Sequence, residues 1–303
     1  MIKRVLASVV LCFSAVAGAQ TTRPVEVPRA EQFDLNNAAG KPYRISIATP
    51  AGKPPEGGFG VIYVLDANGF YATAVEATRF QQGVVPCVVV GVGYPQEKLD
   101  MARRYWDFTP WTSAEHIAIR KLNRGSEGWV EPDGTGGEEE FFAFLDQTLR
   151  PIVEGRFKID PTRRAIFGHS LSARFVLHTL AKHPTAFDYY LAASPSIWWD
   201  GESVRTELTN YLADASAKRP GGVMITCGEY EQKPSATATP DRAAFFAKAK
   251  MVDNARDVAA QLKAAGLNVD FNEYAGENHG SVVPMAIARG VRFAFTTSAP
   301  VKK

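Results

Sequence analysis

A serine lies at the centre of the pentapeptide at 168–172, Gly-His-Ser-Leu-Ser, which has a small residue at each end. A short apolar stretch at 165–167 precedes this pentapeptide, and a helix-like stretch that ends before Pro184 follows it. A serine on a tight turn between a strand and a helix exposes its hydroxyl beside the N–H groups of the helix N-terminus, where an oxyanion can bind. The pattern therefore predicts that Ser170 is a nucleophile. The alternative is a serine that only caps the helix.

A serine nucleophile requires a base, and an acid commonly orients that base. In α/β-hydrolase folds the order along the chain is serine, acid, histidine. His279 follows the last predicted strand, so we predict that it is the base. Glu231 and Glu229 both follow the predicted strand 223–227, and either could be the acid; a Ser–His dyad without an acid is the third possibility. Three other histidines are expected to face solvent or to pack against neighbours: His116, His178 and His183.

Two N–H groups beside the nucleophile are predicted to bind the oxyanion. Leu171 directly follows the serine, and Asn68 lies on the loop after the predicted strand 60–65. For Asn68 the alternative is an ordinary turn, because Asp, Asn and Gly are turn formers. This chemistry requires no metal and no organic cofactor. No Cys/His cluster and no glycine-rich phosphate loop in the sequence suggests one.

The elements that must position these residues alternate between strands and helices, which favours one α/β domain. Continuous apolar stretches at 60–65 and 86–93 are typical of strands buried on both faces of a parallel sheet. The hydrophobic pattern predicts further strands at 31–36, 43–49, 165–167, 189–193, 223–227 and 269–274. It predicts helices at 71–82, 138–156, 241–265 and 284–295, in addition to the helix after Ser170.

Two segments depart from this alternation. Residues 94–137 contain three tryptophans among glycines and prolines, which predicts an irregular insertion over the C-terminal edge of the sheet. Residues 1–19 carry Lys3 and Arg4, then an apolar stretch, then small residues, as in a cleavable signal peptide. That stretch is too short to span a bilayer. We therefore expect a single domain at 20–303, exported to the periplasm or beyond, without stable membrane insertion after cleavage.

Charge and cysteine content exclude some classes of function. The 34 basic residues exceed the 32 acidic residues by two, and cleavage would remove Lys3 and Arg4. A neutral mature chain gives no reason to expect a nucleic-acid partner. Three other predicted strands lie between the strand of Cys87 and the strand of Cys227. At about 4.8 Å per strand the two cysteines are about 19 Å apart, which is too far for a disulfide bond. Both are expected to be buried free thiols.

Five segments of the chain carry a family resemblance: YVLDAN at 63–68, RRYWDFTP at 103–110, FGHSLS at 167–172, ASPSIWW at 193–199 and GENHG at 276–280. Together they resemble the esterase D-like esterases of the α/β-hydrolase class, notably the periplasmic esterases that hydrolyse catecholate siderophore trilactones. The resemblance covers nearly the whole mature chain. It implies an α/β-hydrolase fold, with a mostly parallel sheet between helices, and it implies Ser170 as nucleophile, His279 as base and Glu231 as acid where members have one. The siderophore esterases themselves resemble dyad enzymes.

The resemblance also implies substrate contacts outside the serine and the histidine. Arg103 or Arg104 is expected to contact carbonyl or catechol oxygens of the substrate, or else to form a structural ion pair with Asp107. Trp198 and Trp199 either line an aromatic pocket or belong to the core. Many members have Gly where this chain has Ala67 and Ser172. Both replacements are small, so the tight turn at the nucleophile should be kept.

The sequence thus predicts an exported serine hydrolase that cleaves small-molecule carboxylic esters through an acyl-enzyme. Siderophore lactones are one candidate substrate class, and feruloyl or short-chain esters are another. Two alternatives belong to other classes of function. One is an acyltransferase of the mycolyl-transferase type, and the other is a periplasmic binding protein that keeps the fold without the chemistry. The sequence does not predict the oligomeric state.

Overall fold

One eight-stranded sheet forms the centre of the part of the chain that the computed structural model describes, residues 25–119, 130–233 and 239–296. The strand order is β1-β2-β4-β3-β5-β6-β7-β8. β2 runs antiparallel to both of its neighbours, and all other neighbouring strands are parallel. The strands are β1 Ala30–Asn36, β2 Pro42–Ala48, β3 Phe59–Leu65, β4 Cys87–Gly93, β5 Ile159–His169, β6 Tyr189–Ala193, β7 Gly222–Gly228 and β8 Val269–Tyr274.

Helices cover both faces of the sheet, which confirms the predicted α/β-hydrolase fold. Alternate residues of β3 point to opposite faces. Ile62 and Val64 pack with apolar residues of α1 and α10, whereas Tyr63 packs in the larger core on the other face. The helices are α1 Ala67–Phe80, α2 Met101–Phe108, α3 Ala114–Ile117, α4 Glu138–Ala143, α5 Arg150–Arg156, α6 Leu171–Lys182, α7 Ser203–Ala213, α8 Pro240–Ala249, α9 Met251–Ala264 and α10 Val283–Phe295.

Three predicted elements differ from the structure. The helix expected at 138–156 contains a π-helical turn, Phe144–Leu149, between α4 and α5. The helix expected at 241–265 is two helices, because Lys250 adopts a left-handed conformation with φ 43°. The strand expected at 165–167 extends over all of Ile159–His169. Apolar spacing continues through such breaks, so it does not reveal them.

The described residues 94–119 of the predicted insertion are more regular than the sequence predicts, because they include α2 and α3. Arg104 of α2 contacts Asp66, the residue after β3, and Thr112 contacts Trp199, which follows β6. This part of the insertion therefore lies against the loops at the C-terminal ends of these strands. The predicted signal peptide at 1–19 lies outside the described residues. Among the helices that are described, none combines the length and the apolar character that a membrane span requires.

The two cysteines of the described residues confirm the prediction of free thiols. Cys87 and Cys227 are both buried and unpaired. Three strands, β3, β5 and β6, separate β4 from β7 in the sheet. Burial raises the pKa of each thiol to about 12, so both stay protonated at neutral pH.

Candidate active site

Ser170 lies on a sharp turn between β5 and α6. Its backbone has φ 63° and ψ −117°, a conformation that L-residues rarely adopt and that costs on the order of 1–3 kcal/mol. The N–H of Ser170 donates to the carbonyl oxygen of Ala193 at 3.0 Å, which ties the turn to β6. A Cβ on Gly168 would collide with the carbonyl group of Ser172, so this position requires glycine. The turn thus holds the serine hydroxyl at the C-terminal end of β5.

Ser170, His279 and Glu231 form one hydrogen-bonded chain. Ser170 Oγ lies 3.0 Å from His279 Nε2, and His279 Nδ1 lies 2.9 Å from Glu231 Oε2. A carboxylate only accepts, so Nδ1–H donates to Glu231, and Nε2 is then free to accept the serine proton. The structure therefore brings together the predicted nucleophile, the predicted base and one of the two candidate acids.

Glu231 is a buried carboxylate that two further donors hold in place. Ser194 Oγ and the N–H of Gly228 each donate to Glu231 Oε1 at 2.6 Å. The glutamate is only 2% exposed, and a carboxylate at that depth needs such partners. The sequence analysis did not identify Ser194 as part of the site. Its position directly after β6 was the available signal, because that loop neighbours the loop after β5.

Glu229 lies in a different environment and does not contact His279. Its carboxylate accepts from the N–H of Gly276 at 3.0 Å and pairs with Lys233 at 2.9 Å. The Gly276 hydrogen bond, together with the Lys233 ammonium, lowers the pKa of Glu229. Its contacts therefore join the loop after β7 to the loop after β8.

Backbone contacts fix the loop that carries His279. The N–H of Tyr230 donates to the carbonyl oxygen of Glu277 at 2.9 Å, and a Cβ on Gly228 would lie 2.5 Å from the same oxygen. The ring of His169 packs against that of His279, with centroids 4.5 Å apart. Burial, together with the neighbouring His279 ring, lowers the pKa of His169 well below 6.5, so His169 is a neutral neighbour.

The predicted oxyanion donors are the first and second residues of two helices. Leu171 begins α6. Asn68 is the second residue of α1 and not part of a loop as predicted, because this helix begins at Ala67 and not at 71. N–H groups at both positions have no acceptor within the helix. The Asn68 side chain is already engaged elsewhere. Its amide nitrogen donates to the carbonyl oxygen of Tyr94 at 2.9 Å, and its oxygen accepts from the N–H of Tyr94 at 2.8 Å. Only the backbone of Asn68 is thus available to an oxyanion.

Arg104 forms a buried ion pair beneath the site and is not presented to solvent. Its Nε and Nη2 donate to the two oxygens of Asp66 at 2.7 and 2.9 Å, and its side chain is 6% exposed. Ser172 Oγ donates to Asp66 Oδ2 at 2.7 Å and accepts from the N–H of His169. The partner of Arg104 is therefore Asp66, which the sequence analysis did not consider, and the pair joins α2 to the loop after β3 and to the Ser170 turn.

Arg103 and the two tryptophans are also packed within the protein. The Arg103 guanidinium lies 4.5 Å from the ring centre of Tyr43 and 3.9 Å from Asp107. Trp199 is 1% exposed and Trp198 is 6% exposed, so both belong to the core. None of the four residues predicted to contact substrate, Arg103, Arg104, Trp198 and Trp199, has a freely exposed side chain in this structure.

The substitution Arg104→Ala should destabilise the fold by about 3–5 kcal/mol, because it leaves the buried Asp66 carboxylate without its cation. We expect the melting temperature to fall by on the order of 10 °C and turnover of large and small esters to fall together. Arg256→Ala is the matched control, since Arg256 is 51% exposed in its pair with Glu273 and should cost less than about 1 kcal/mol. Selective loss of large substrates at unchanged melting temperature would instead indicate a substrate contact.

The fold and the arrangement of the three polar side chains are those of a serine hydrolase of the α/β-hydrolase class. The family described as "Putative esterase" matches residues 36–282. The chain belongs to this family, and it is a hydrolase of carboxylic esters.

Known proteins that resemble the chain include esterases of siderophores. The chain is 35% identical over 268 residues to the ferri-bacillibactin esterase BesA of Bacillus subtilis. The aligned residues cover 85% of this chain and 86% of that protein. It is 32% identical to the siderophore triacetylfusarinine C esterase of Aspergillus fumigatus, over 90% of this chain and 95% of that one. The crystal structure of the BES protein from Bacillus cereus superposes with a TM-score of 0.77 at 33% identity, over 92% of this chain and 99% of that one.

Proposed function

We propose that this chain is an exported serine esterase that hydrolyses the ester bonds of a siderophore through an acyl-enzyme on Ser170. The observation that carries the chemistry is the chain of hydrogen bonds from Ser170 Oγ through His279 to Glu231, at 3.0 and 2.9 Å. Two relatives support the substrate class, because both are named as siderophore esterases. They are 35% and 32% identical to this chain over 85% and 90% of its length. The apolar stretch and small residues within 1–19 support export.

In the first half of the reaction, Ser170 Oγ attacks the carbonyl carbon of the ester while His279 Nε2 takes the hydroxyl proton. Glu231 stabilises the imidazolium that forms, without itself taking a proton. The N–H groups of Leu171 and Asn68 bind the developing oxyanion. When the tetrahedral intermediate collapses, the bond to the alcohol breaks, and His279 delivers its proton to the departing oxygen. The products are an alcohol and an acyl-enzyme.

In the second half, water takes the place of the alcohol. His279 Nε2 removes a proton from the water as its oxygen attacks the acyl carbon. Collapse then breaks the bond to Ser170 Oγ, which regains the proton from His279. The acid is released and the enzyme returns to its starting state. A cyclic substrate with several ester bonds can pass through this cycle once for each bond.

The substrate class is tested by comparing purified protein on bacillibactin, triacetylfusarinine C, methyl ferulate and 4-nitrophenyl acetate. We expect kcat/KM on one of the siderophores to exceed that on methyl ferulate by at least about tenfold, because a site shaped for the larger substrate gains contacts that the smaller one lacks. Chromatography of the products measures the rates, and Ser170→Ala gives the background for each substrate.

Two results would contradict this proposal. Hydrolysis of methyl ferulate without hydrolysis of either siderophore would indicate a feruloyl esterase. Transfer of the acyl group to an added alcohol in preference to water would indicate an acyltransferase. The acid and the transferred ester have different masses, so one chromatogram separates these outcomes.

A further inference from the structure

A second group of polar side chains lies on α6, away from the nucleophile. His178 is eight residues after Ser170, about 12 Å along the helix at about 1.5 Å per residue. His178 Nε2 lies 3.0 Å from Glu139 Oε1, and His183 Nε2 lies 2.9 Å from Glu139 Oε2. Each residue offers one ligand atom, and the three atoms lie within 4.8 Å of one another. Two imidazoles and one carboxylate thus converge on one point between α4 and the C-terminal end of α6.

This donor set and its spacing suit a divalent transition-metal ion. Zn²⁺ binds His nitrogen and carboxylate oxygen at about 2.0–2.2 Å in a tetrahedral geometry, so its ligand atoms lie about 3.3 Å apart. The distances from Glu139 oxygens to His178 Nε2 and His183 Nε2, 3.0 and 2.9 Å, are close to that spacing. The side chains of Glu139 and His183 are 57% and 29% exposed, which leaves an entry path and room for water as a fourth ligand.

Neighbouring side chains already orient both histidines. His178 is 2% exposed, and its Nδ1 lies 2.8 Å from Glu207 Oε2, so Nδ1–H donates to that carboxylate and Nε2 faces Glu139. A carboxylate that accepts from the other ring nitrogen is the usual support of a metal-binding histidine. The His183 ring stacks on Phe142, with centroids 3.7 Å apart and an angle of 8° between the planes. Both Nε2 atoms are therefore held towards Glu139 by contacts outside the three-residue group.

The charges in direct contact at this position do not balance. Glu138, Glu139 and Glu207 all contact His178, whereas Arg174 is the cation that pairs with Glu138 and Glu207. With neutral imidazoles, two negative charges remain among these contacts. A bound divalent ion would cancel this excess charge.

We propose that Glu139, His178 and His183 bind one Zn²⁺ or a similar divalent transition-metal ion, which joins α4 to α6 and takes no part in ester hydrolysis. The sequence analysis identified no such cluster because 39 residues separate Glu139 from His178. The packing of α4 against the C-terminal end of α6, rather than a short sequence motif, brings the ligands together. The ion would stabilise the fold by mass action, because the unfolded chain lacks the site.

The proposal is tested by titrating ZnCl₂ into chelator-treated, folded protein at pH 8 and measuring heat release and melting temperature. We expect one ion per chain and a melting temperature that rises with Zn²⁺. His183→Ala and Glu139→Gln should each weaken binding by at least about tenfold, and Glu207→Gln by about 10–100-fold. His116→Ala is the matched control: His116 is half-exposed beside Asp200, at 2.9 Å, but belongs to no metal-ligand group in the described residues.

Two measurements keep the result unambiguous. The melting temperature without metal shows whether each variant is folded. Because the side chain of Glu139 is exposed, Glu139→Gln should not prevent folding. Ester hydrolysis by the wild-type protein should be the same with and without Zn²⁺. The proposal is overturned if the wild-type protein binds less than one ion per chain, or if His183→Ala and Glu139→Gln bind Zn²⁺ as tightly as the wild-type protein.

Discussion

Replacement of Ser170 or His279 by alanine is expected to lower kcat for ester hydrolysis by at least about 10⁴-fold while the protein stays folded. In the proposed mechanism Ser170 supplies the attacking oxygen, and His279 Nε2, which lies 3.0 Å away, removes its proton. The measurement is kcat on 4-nitrophenyl acetate, which has an activated leaving group, so that a small residual activity can be quantified. The melting temperature of each variant serves as the control for folding.

The double variant distinguishes a shared mechanism from two separate contributions. If the two residues act as one unit, the loss in the Ser170→Ala/His279→Ala protein should barely exceed the loss in either single variant. Multiplicative losses would contradict the mechanism, because they would mean that each residue still works without the other.

Glu231→Gln is expected to lower kcat by about 10³-fold, whereas Glu229→Gln stays within about threefold of the wild-type protein. The N–H of Gly228 donates to Oε1 of Glu231 at 2.6 Å, so the carbonyl oxygen of the new amide will occupy that position. The amide NH₂ then faces His279 Nδ1 and can only donate to it. The histidine must therefore carry its proton on Nε2, where it can no longer accept the serine proton.

Glu229→Gln is a close control because Glu229 lies two residues away on the same loop and has a different partner. Its carboxylate contacts Gly276 and Lys233 but not His279. Mild losses in both variants would indicate that a Ser–His dyad is sufficient. A large loss in the Glu229 variant alone would assign the acid to Glu229. Single-turnover kinetics with 4-nitrophenyl acetate would show which of the two half-reactions is slowed.

The central strands and the turn that carries Ser170 could be predicted because their signals are local. Continuous β-branched stretches indicate the central strands β3 and β4, and the order of serine, acid and histidine follows from the parallel sheet. The identity of the acid could not be predicted, because Glu229 and Glu231 are both in the short 3₁₀ turn that follows β7. Their side chains leave this turn in different directions, and only the position of the β8 loop shows which of them meets His279.

The buried ion pair between Arg104 and Asp66 is the other feature that sequence spacing did not reveal, because Asp66 lies 38 residues before Arg104. Asp107, the acid close in sequence, lies 3.9 Å from Arg103 instead. Asp107 also accepts from the hydroxyls of Tyr43 and Tyr94, at 2.8 and 3.0 Å, and burial raises its pKa to about 6. Both arrangements depend on tertiary contacts between distant elements, which hydrophobic periodicity does not encode.

Labelling with a fluorophosphonate, followed by mass spectrometry of the modified peptide, tests the central claim most directly. Such a reagent reacts with a serine only when a base activates its hydroxyl. We therefore predict one label per chain, located on Ser170. The label should be greatly reduced in His279→Ala. Ser172 lies in the same peptide, and its hydroxyl is engaged with the buried Asp66, so it serves as the internal control. Labelling of a different serine, or no labelling of folded protein, would contradict the assignment of Ser170 as the nucleophile.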